Sequence, residues 1–145
     1  MPSLTPTSHQ SLVEVSVDGT YFFHAQVFFE YRIPPLFLDV SPIRLSVWGE
    51  VDLQIEGKNF ILGTVPICRF IFPSSIQQVD LAGQLVSKER LICFCPRHLL
   101  IDEEIILQLS FNNQEFYEVT SIENTLIYSE KARITSIYPT FGFAN

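Results

Sequence analysis

The side chains best suited to chemistry in this sequence are Cys68, Cys93, Cys95 and His98. Thiolates and imidazoles bind zinc, and the run Cys93-x-Cys95-x-x-His98 brings three such groups close together. A closed zinc site takes four ligands, usually with two to four residues between its paired cysteines; two cysteines one residue apart plus a single histidine supply three at most. No metal or other cofactor is therefore expected. Asp102-Glu103-Glu104 is the one acidic run. Paired carboxylates serve acid–base catalysis or calcium binding, but this run stands directly before an alternating apolar segment, where a solvated loop accounts for it. His9, His24 and His98 share no spacing that suggests a site. A nucleophile elbow, a glycine-rich dinucleotide loop, a phosphate loop and an Asn-x-Ser/Thr sequon are all absent from the sequence. The chain is not expected to be an enzyme.

The elements that carry these residues alternate with a period of two, which sends successive side chains to opposite faces of a sheet. Val13, Val15 and Val17 alternate with Glu14 and Ser16; Val51, Leu53 and Ile55 with Asp52, Gln54 and Glu56. Ile105, Leu107, Leu109 and Phe111 alternate with Glu104, Gln108 and Ser110, Ile106 being the one apolar residue on the outward side. Turn chemistry separates the runs at Asp18-Gly19, Glu56-Gly57, Phe72-Pro73-Ser74-Ser75, Ala82-Gly83 and Asn112-Asn113. Asp18-Gly19 and Asn112-Asn113 sit where hairpin turns belong. No apolar helical period lasts beyond two turns. Short strands at this spacing make an all-β antiparallel sandwich, and the 47% hydrophobic content is enough to fill its core.

The sequence also echoes itself. Val-Glu-Val-Ser-Val-Asp-Gly-Thr-Tyr-Phe from Val13 is followed by Phe29-Glu30-Tyr31 and Val40-Ser41-Pro42; Leu-Gln-Leu-Ser-Phe-Asn-Asn-Gln-Glu-Phe from Leu107 is followed by Leu126-Ile127-Tyr128 and Ile137-Tyr138-Pro139. Tyr31 and Tyr128 lie 97 residues apart, as do Pro42 and Pro139. One period shared by two landmarks indicates a tandem module of immunoglobulin size, roughly 100 residues. Residues 1–11 then form a flexible lead, 12–31 the last hairpin of a preceding module, 32–130 one complete module and 131–145 the first strand of a following one. A lone hairpin is marginal in water, so the chain is expected to be a segment of a longer array.

With these landmarks the sequence resembles the IPT/TIG family of immunoglobulin-like domains. The resemblance rests on Phe37-Leu38-Asp39-Val40-Ser41-Pro42, Gly49, the alternation of residues 51–56 and Gly57-Lys58-Asn59-Phe60. It continues through Cys68-Arg69-Phe70, Ile92-Cys93 with Pro96, residues 109–112 and Tyr128, and restarts at residues 134–142. It covers nearly the whole chain after residue 12, and its specificity lies in the order and spacing of the motifs together. A single Gly49 stands where the family often has two, which bears on the first turn and not on the fold. The implied fold is an early-set, immunoglobulin-like antiparallel β-sandwich. In it Gly57 would take a positive φ or a bulge, Asn59 would hold the following loop and Phe60 would plug the core.

The resemblance also implies a Cys68–Cys93 disulfide, because the family often has a pair at these positions; two buried free thiols are the other state open to them. Cys95, two residues from Cys93 and on the same face, would compete for Cys68, pair between chains or stay reduced. The aromatic cluster of residues 21–31 is a candidate contact surface. Only one face of its strand can be core in a two-sheet sandwich, which leaves Phe22, Phe23 and Phe28 as candidates for meeting a neighbour.

Three function classes follow. The leading expectation is a structural or adhesive module of a tandem-repeat extracellular or cell-surface protein, with a cytoplasmic or ciliary site as the alternative, acting as spacer and protein–protein contact. The others are the dimerisation domain of a transcription factor and an accessory module beside a carbohydrate-active enzyme. Nine Lys+Arg against 16 Asp+Glu give a net charge of -7; phosphates need neutralising positive charge, so nucleic acid is not an expected partner. No apolar run reaches the roughly 18–20 residues that span a bilayer, so this segment is not expected to insert. Residues 1–10 lack the layout of a signal peptide, and export would depend on a signal upstream.

Overall fold

The computed structural model describes residues 9–49, 51–119, 125–130 and 132–143. Among them it is all-β, with strands β1 (His9–Val15), β2 (Phe23–Tyr31), β3 (Leu36–Ser41), β4 (Arg44–Ser46), β5 (Asp52–Lys58) and β6 (Ile67–Phe72) in its first half. The second half holds β7 (Gln77–Ala82), β8 (Gln84–Leu85), β9 (Arg90–Phe94), β10 (Glu104–Ser110), β11 (Tyr117–Glu118) and β12 (Leu126–Ser129). The chain divides into two compact units, Met1–Leu36 and Phe37–Asn145.

The second unit is an immunoglobulin-like sandwich. One sheet runs β4-β12-β10-β6-β7, with β11 also on β10; the other runs β3-β5-β9-β8. The β10, β6–β7, β5–β9 and β8–β9 ladders are antiparallel, while β12 runs parallel to β4. The period-two reading of β5 and β10 is seen directly: Leu53, Ile55, Ile105, Leu107 and Leu109 are buried while Gln54, Glu56 and Glu104 are exposed. Cys68, Phe70 and Phe72 of β6 and Leu91 and Cys93 of β9 complete the inner faces. Burying one such side chain contributes roughly 1.5–3 kcal/mol before the cost of ordering the chain.

Phe60 is buried and packs between Phe37 and Phe111, at ring-centroid distances of 6.0 and 5.6 Å. Gly57 takes no positive φ. It continues β5 with its N–H donated to the Glu89 carbonyl, and the left-handed residue is Asn59, at φ 64°. Asparagine tolerates that region better than most residues, so the chain turns two positions later than the glycine suggests. Gly49 does turn at φ 74°, and a Cβ there would lie 3.1 Å from the Cys95 carbonyl.

The first unit is the β1–β2 hairpin, a two-stranded sheet of its own. β1 begins at His9, so residues 9–11 belong to a strand and not to a flexible lead; the ring of His9 stacks on Tyr31 at 4.5 Å. Polar Gln10 and Ser11 hide this part of the strand from an apolar count. The pairing runs from His9↔Tyr31 to Val15↔Phe23 with an irregularity at Leu12/Glu14, where Gln26 opposite takes φ 52°. Residues 132–143 carry no strand. No helix among the described residues is long and apolar enough to cross a membrane.

Candidate functional site

Cys68 and Cys93 are bonded, with Cα atoms 6.0 Å apart, and both are fully buried. The registers explain why these two meet. On β6, Cys68 stands opposite Leu109 and Leu81; on β9, Cys93 stands opposite Leu53. Each cysteine is thus central in its own sheet and points into the shared core. Cys95 lies just beyond the end of β9, its N–H donated to the Val51 carbonyl, and it is a buried free thiol. Burial, helped by the nearby carboxylate of Asp52, pushes its pKa up to about 12, which leaves it un-ionised and chemically quiet at neutral pH.

The acidic run divides. Asp102, at φ 57°, and Glu104 are exposed, while Glu103 is buried. Its carboxylate accepts hydrogen bonds from the Ser74 hydroxyl and the Ser74 N–H and pairs with Nε2 of His98. Burial opposes its charge, but these hydrogen bonds outweigh burial and hold its pKa below the usual carboxylate range. His98 stacks on Phe72 at 4.2 Å and lies 5.1 Å from the ring of Tyr128, whose hydroxyl donates to the Pro96 carbonyl. Reading Glu103 as part of a solvated loop was a miss with a visible signal: it has the parity of Ile105, Leu107 and Leu109, the core face of β10.

Ser74, Glu103 and His98 do not form a nucleophilic triad. In such a triad the imidazole stands between hydroxyl and carboxylate and takes the hydroxyl proton; here the carboxylate stands in the middle. The arrangement ties the 73–75 turn to the loop before β10. His98 is committed to Glu103 and Cys93 to the disulfide, so the Cys93/Cys95/His98 grouping is not assembled as a ligand set. Beside His98, an open groove is lined by Trp48, Leu99, Ile101, Glu130 and Arg133, with Trp48 and Leu99 well exposed.

The hairpin residues form two unlike faces. Residues opposite one another in an antiparallel ladder share a face, so Phe23 joins Val15, Phe29 joins Ser11 and Tyr31 joins His9 on one side. Phe28 joins Leu12 on the other side, where His24 also pairs with Glu14 at 2.7 Å. Phe22 lies in the connection between the strands. The three candidate contact residues are all exposed, yet they make no single patch. Val15, Val27, Phe29 and Tyr31 are exposed as well, at 49–58%. Plain alternation gives the same division, because the irregularity at Gln26 slips the register by two residues and so preserves parity: Phe23, Phe29 and Tyr31 share one face, His24 and Phe28 the other.

No family model matches the chain, and no curated protein matches it significantly. Among solved structures, it is similar to the full extracellular region of plexin A4, domains 1 to 10, at 16% sequence identity and a TM-score of 0.61. The match covers 82% of this chain and 10% of the plexin chain, so the chain spans a small part of that protein's length. At this identity the likeness bears on the fold, and the fold it supports is the immunoglobulin-like β-sandwich described above.

Proposed function

We propose that this chain is a non-enzymatic structural and adhesive module of the IPT/TIG kind, in a tandem-repeat protein of the cell surface or extracellular space. It acts there as a spacer and as a protein–protein contact. The observation that carries this reading is the disulfide across the core of an immunoglobulin-like sandwich. Such bonds persist in oxidising compartments and are rare where glutathione keeps thiols reduced. The plexin likeness supports it at the level of fold, and the motif order of residues 37–128 supports the family. Residues 12–31 fit the closing hairpin of a preceding module and residues 32–130 a whole one; residues 131–145 stand in sequence where the first strand of a following module would begin, though 132–143 carry no strand here.

The test is made on intact cells that express the parent protein. Labelling with a membrane-impermeant amine reagent is followed by non-reducing peptide mapping. The reading expects labelling without permeabilisation and a peptide pair joined through Cys68 and Cys93. Labelling only after permeabilisation, with both thiols free to alkylate, would sink it.

A further inference from the structure

The N-terminal hairpin repeats the closing hairpin of the sandwich in its pairing register, not only in its sequence. β10 pairs with β11 at Gln108↔Glu118 and Leu109↔Tyr117, and with β12 at Glu104↔Ile127 and Ile105↔Leu126. All four pairs recur between β1 and β2, as Glu14↔His24, Val15↔Phe23, Gln10↔Glu30 and Ser11↔Phe29. The offset is 94 residues along β1 and at the start of β2, and 97 further along β2.

The turns share their Oδ1-centred hydrogen bonds, differing in that Ser16 Oγ accepts from the Gly19 N–H and Ser110 Oγ from the Asn112 N–H. Asp18 Oδ1 accepts from the N–H groups of Thr20 and Tyr21, at 2.9 and 3.0 Å. Asn112 Oδ1 accepts from those of Gln114 and Glu115, at 3.0 and 2.9 Å. Ser16 and Ser110 each donate a hydroxyl hydrogen bond to that Oδ1, and Gly19 and Asn113 share a positive φ.

Surroundings separate the two copies. Leu109, Leu126 and Tyr128 are 0%, 6% and 0% exposed; their counterparts Val15, Phe29 and Tyr31 are 54%, 56% and 49% exposed. In the sandwich, residues 106–110 of β10 carry β6 antiparallel along their outer edge, and residues 127–129 of β12 carry β4 in parallel. The corresponding edges of the hairpin, residues 12–16 and 30–32, have no strand beside them among the described residues.

We infer that the hairpin is a docking element for one kind of partner, an immunoglobulin-like sandwich that lacks its own closing hairpin, supplied by the stretch of the same polypeptide that precedes it. The inference rests on the module-array reading and adds its geometry. The Val13, Val15, Phe29 and Tyr31 face enters the partner's core. Residues 12–16 take an antiparallel strand in the role of β6, and residues 30–32 take a parallel strand in the role of β4. Phe28, Leu12 and the Glu14–His24 pair stay on the solvent side. A second copy of this chain is the less suitable occupant, because β10 and β12 already fill the matching edges of its sandwich.

Hydrogen exchange on two preparations tests this: the 145-residue chain alone, and the same residues within the parent polypeptide. In the parent, amides of residues 12–16 and 30–32 should exchange roughly a hundredfold or more slowly than in the chain alone, as core strands do relative to open edges. Phe29→Asp should abolish that protection and Phe28→Asp should leave it. A register exchange within the 145-residue chain, with residues 10–24 in place of 104–118, should still form the Cys68–Cys93 bond and protect β6. The same exchange shifted by one residue, which reverses the faces, should do neither. Equal protection in both preparations, protection of the lone chain that rises with concentration, or equal sensitivity to the two phenylalanine substitutions would overturn the inference. An intracellular parent that protects the hairpin would sink the surface reading and leave this one standing.

Discussion

Gly83 lies against the disulfide: a Cβ built on it would fall 2.8 Å from Sγ of Cys68 and 3.0 Å from the Ile92 carbonyl. Its N–H donates to the Pro66 carbonyl at 2.7 Å, which holds the link between β7 and β8 against the start of β6. The two sheets thus come together at a position where a side chain has no room, and the glycine there serves close approach, not a left-handed turn.

Gly83→Ala should therefore overpack the region around the bond. The neighbours are a sulfur fixed in a disulfide and a strand carbonyl, neither able to swing aside, so a loss of roughly 1–3 kcal/mol is expected. Denaturant unfolding under non-reducing conditions measures it as a lower midpoint with an unchanged slope. An alanine variant as stable as the parent would show that the strands slide apart freely here.

The disulfide and Cys95 should answer reagents differently. Cys68 and Cys93 close a loop of 25 residues, for which chain entropy predicts about 3.5 kcal/mol of stabilisation. The double change Cys68→Ala, Cys93→Ala should lower stability by about 2–5 kcal/mol. In the folded, oxidised protein a thiol reagent should find Cys95 unreactive at neutral pH, because burial pushes its pKa up to about 12. In denaturant it should titrate one thiol. Rapid labelling of the native protein would contradict the burial.

Acid should weaken the fold through Glu103. Its pKa is lowered in the folded state by Ser74 and His98 against the opposing effect of burial. A depressed carboxylate contributes stability that is fully present above its unfolded value, near 4.5, and is lost as pH falls through the folded value. Glu103→Gln should flatten this part of the profile. Thermal unfolding at pH 3 to 7 decides it; an identical acid slope in the variant would assign the loss to other carboxylates, among them Asp80, whose pKa its Arg69 partner lowers.

Duplex DNA should not be a ligand. With a charge of -7, anisotropy titrations at physiological salt should show no saturable binding. Salt-sensitive micromolar binding would move a transcription-factor role ahead of the surface role.

Much of this could be read from the residues alone. Period-two alternation at residues 51–56 and 105–111 identified the inner faces, since strict alternation leaves a half-buried strand little choice of face. The 97-residue step between Tyr31 and Tyr128 exposed the repeat, and Phe60 as a core plug followed from its motif. What depended on pairing was not legible. Phe23 and Phe28 fall on opposite faces by alternation alone, but the two-residue slip in register at Gln26, which sets the partner each strand residue meets, is recorded by no single-strand pattern. Cys93 and Cys95 have equal claims on Cys68 by parity; the family resemblance implies Cys93, and the packing of the two sheets makes that bond. Glu103 carried a solvent-like residue type in a core-face position, and its partners His98 and Ser74 come from other segments. Sequence fixes local preference, which depends on neighbours along the chain; partners across sheets are chosen by the cooperative packing of the whole sandwich, and that only the tertiary structure decided.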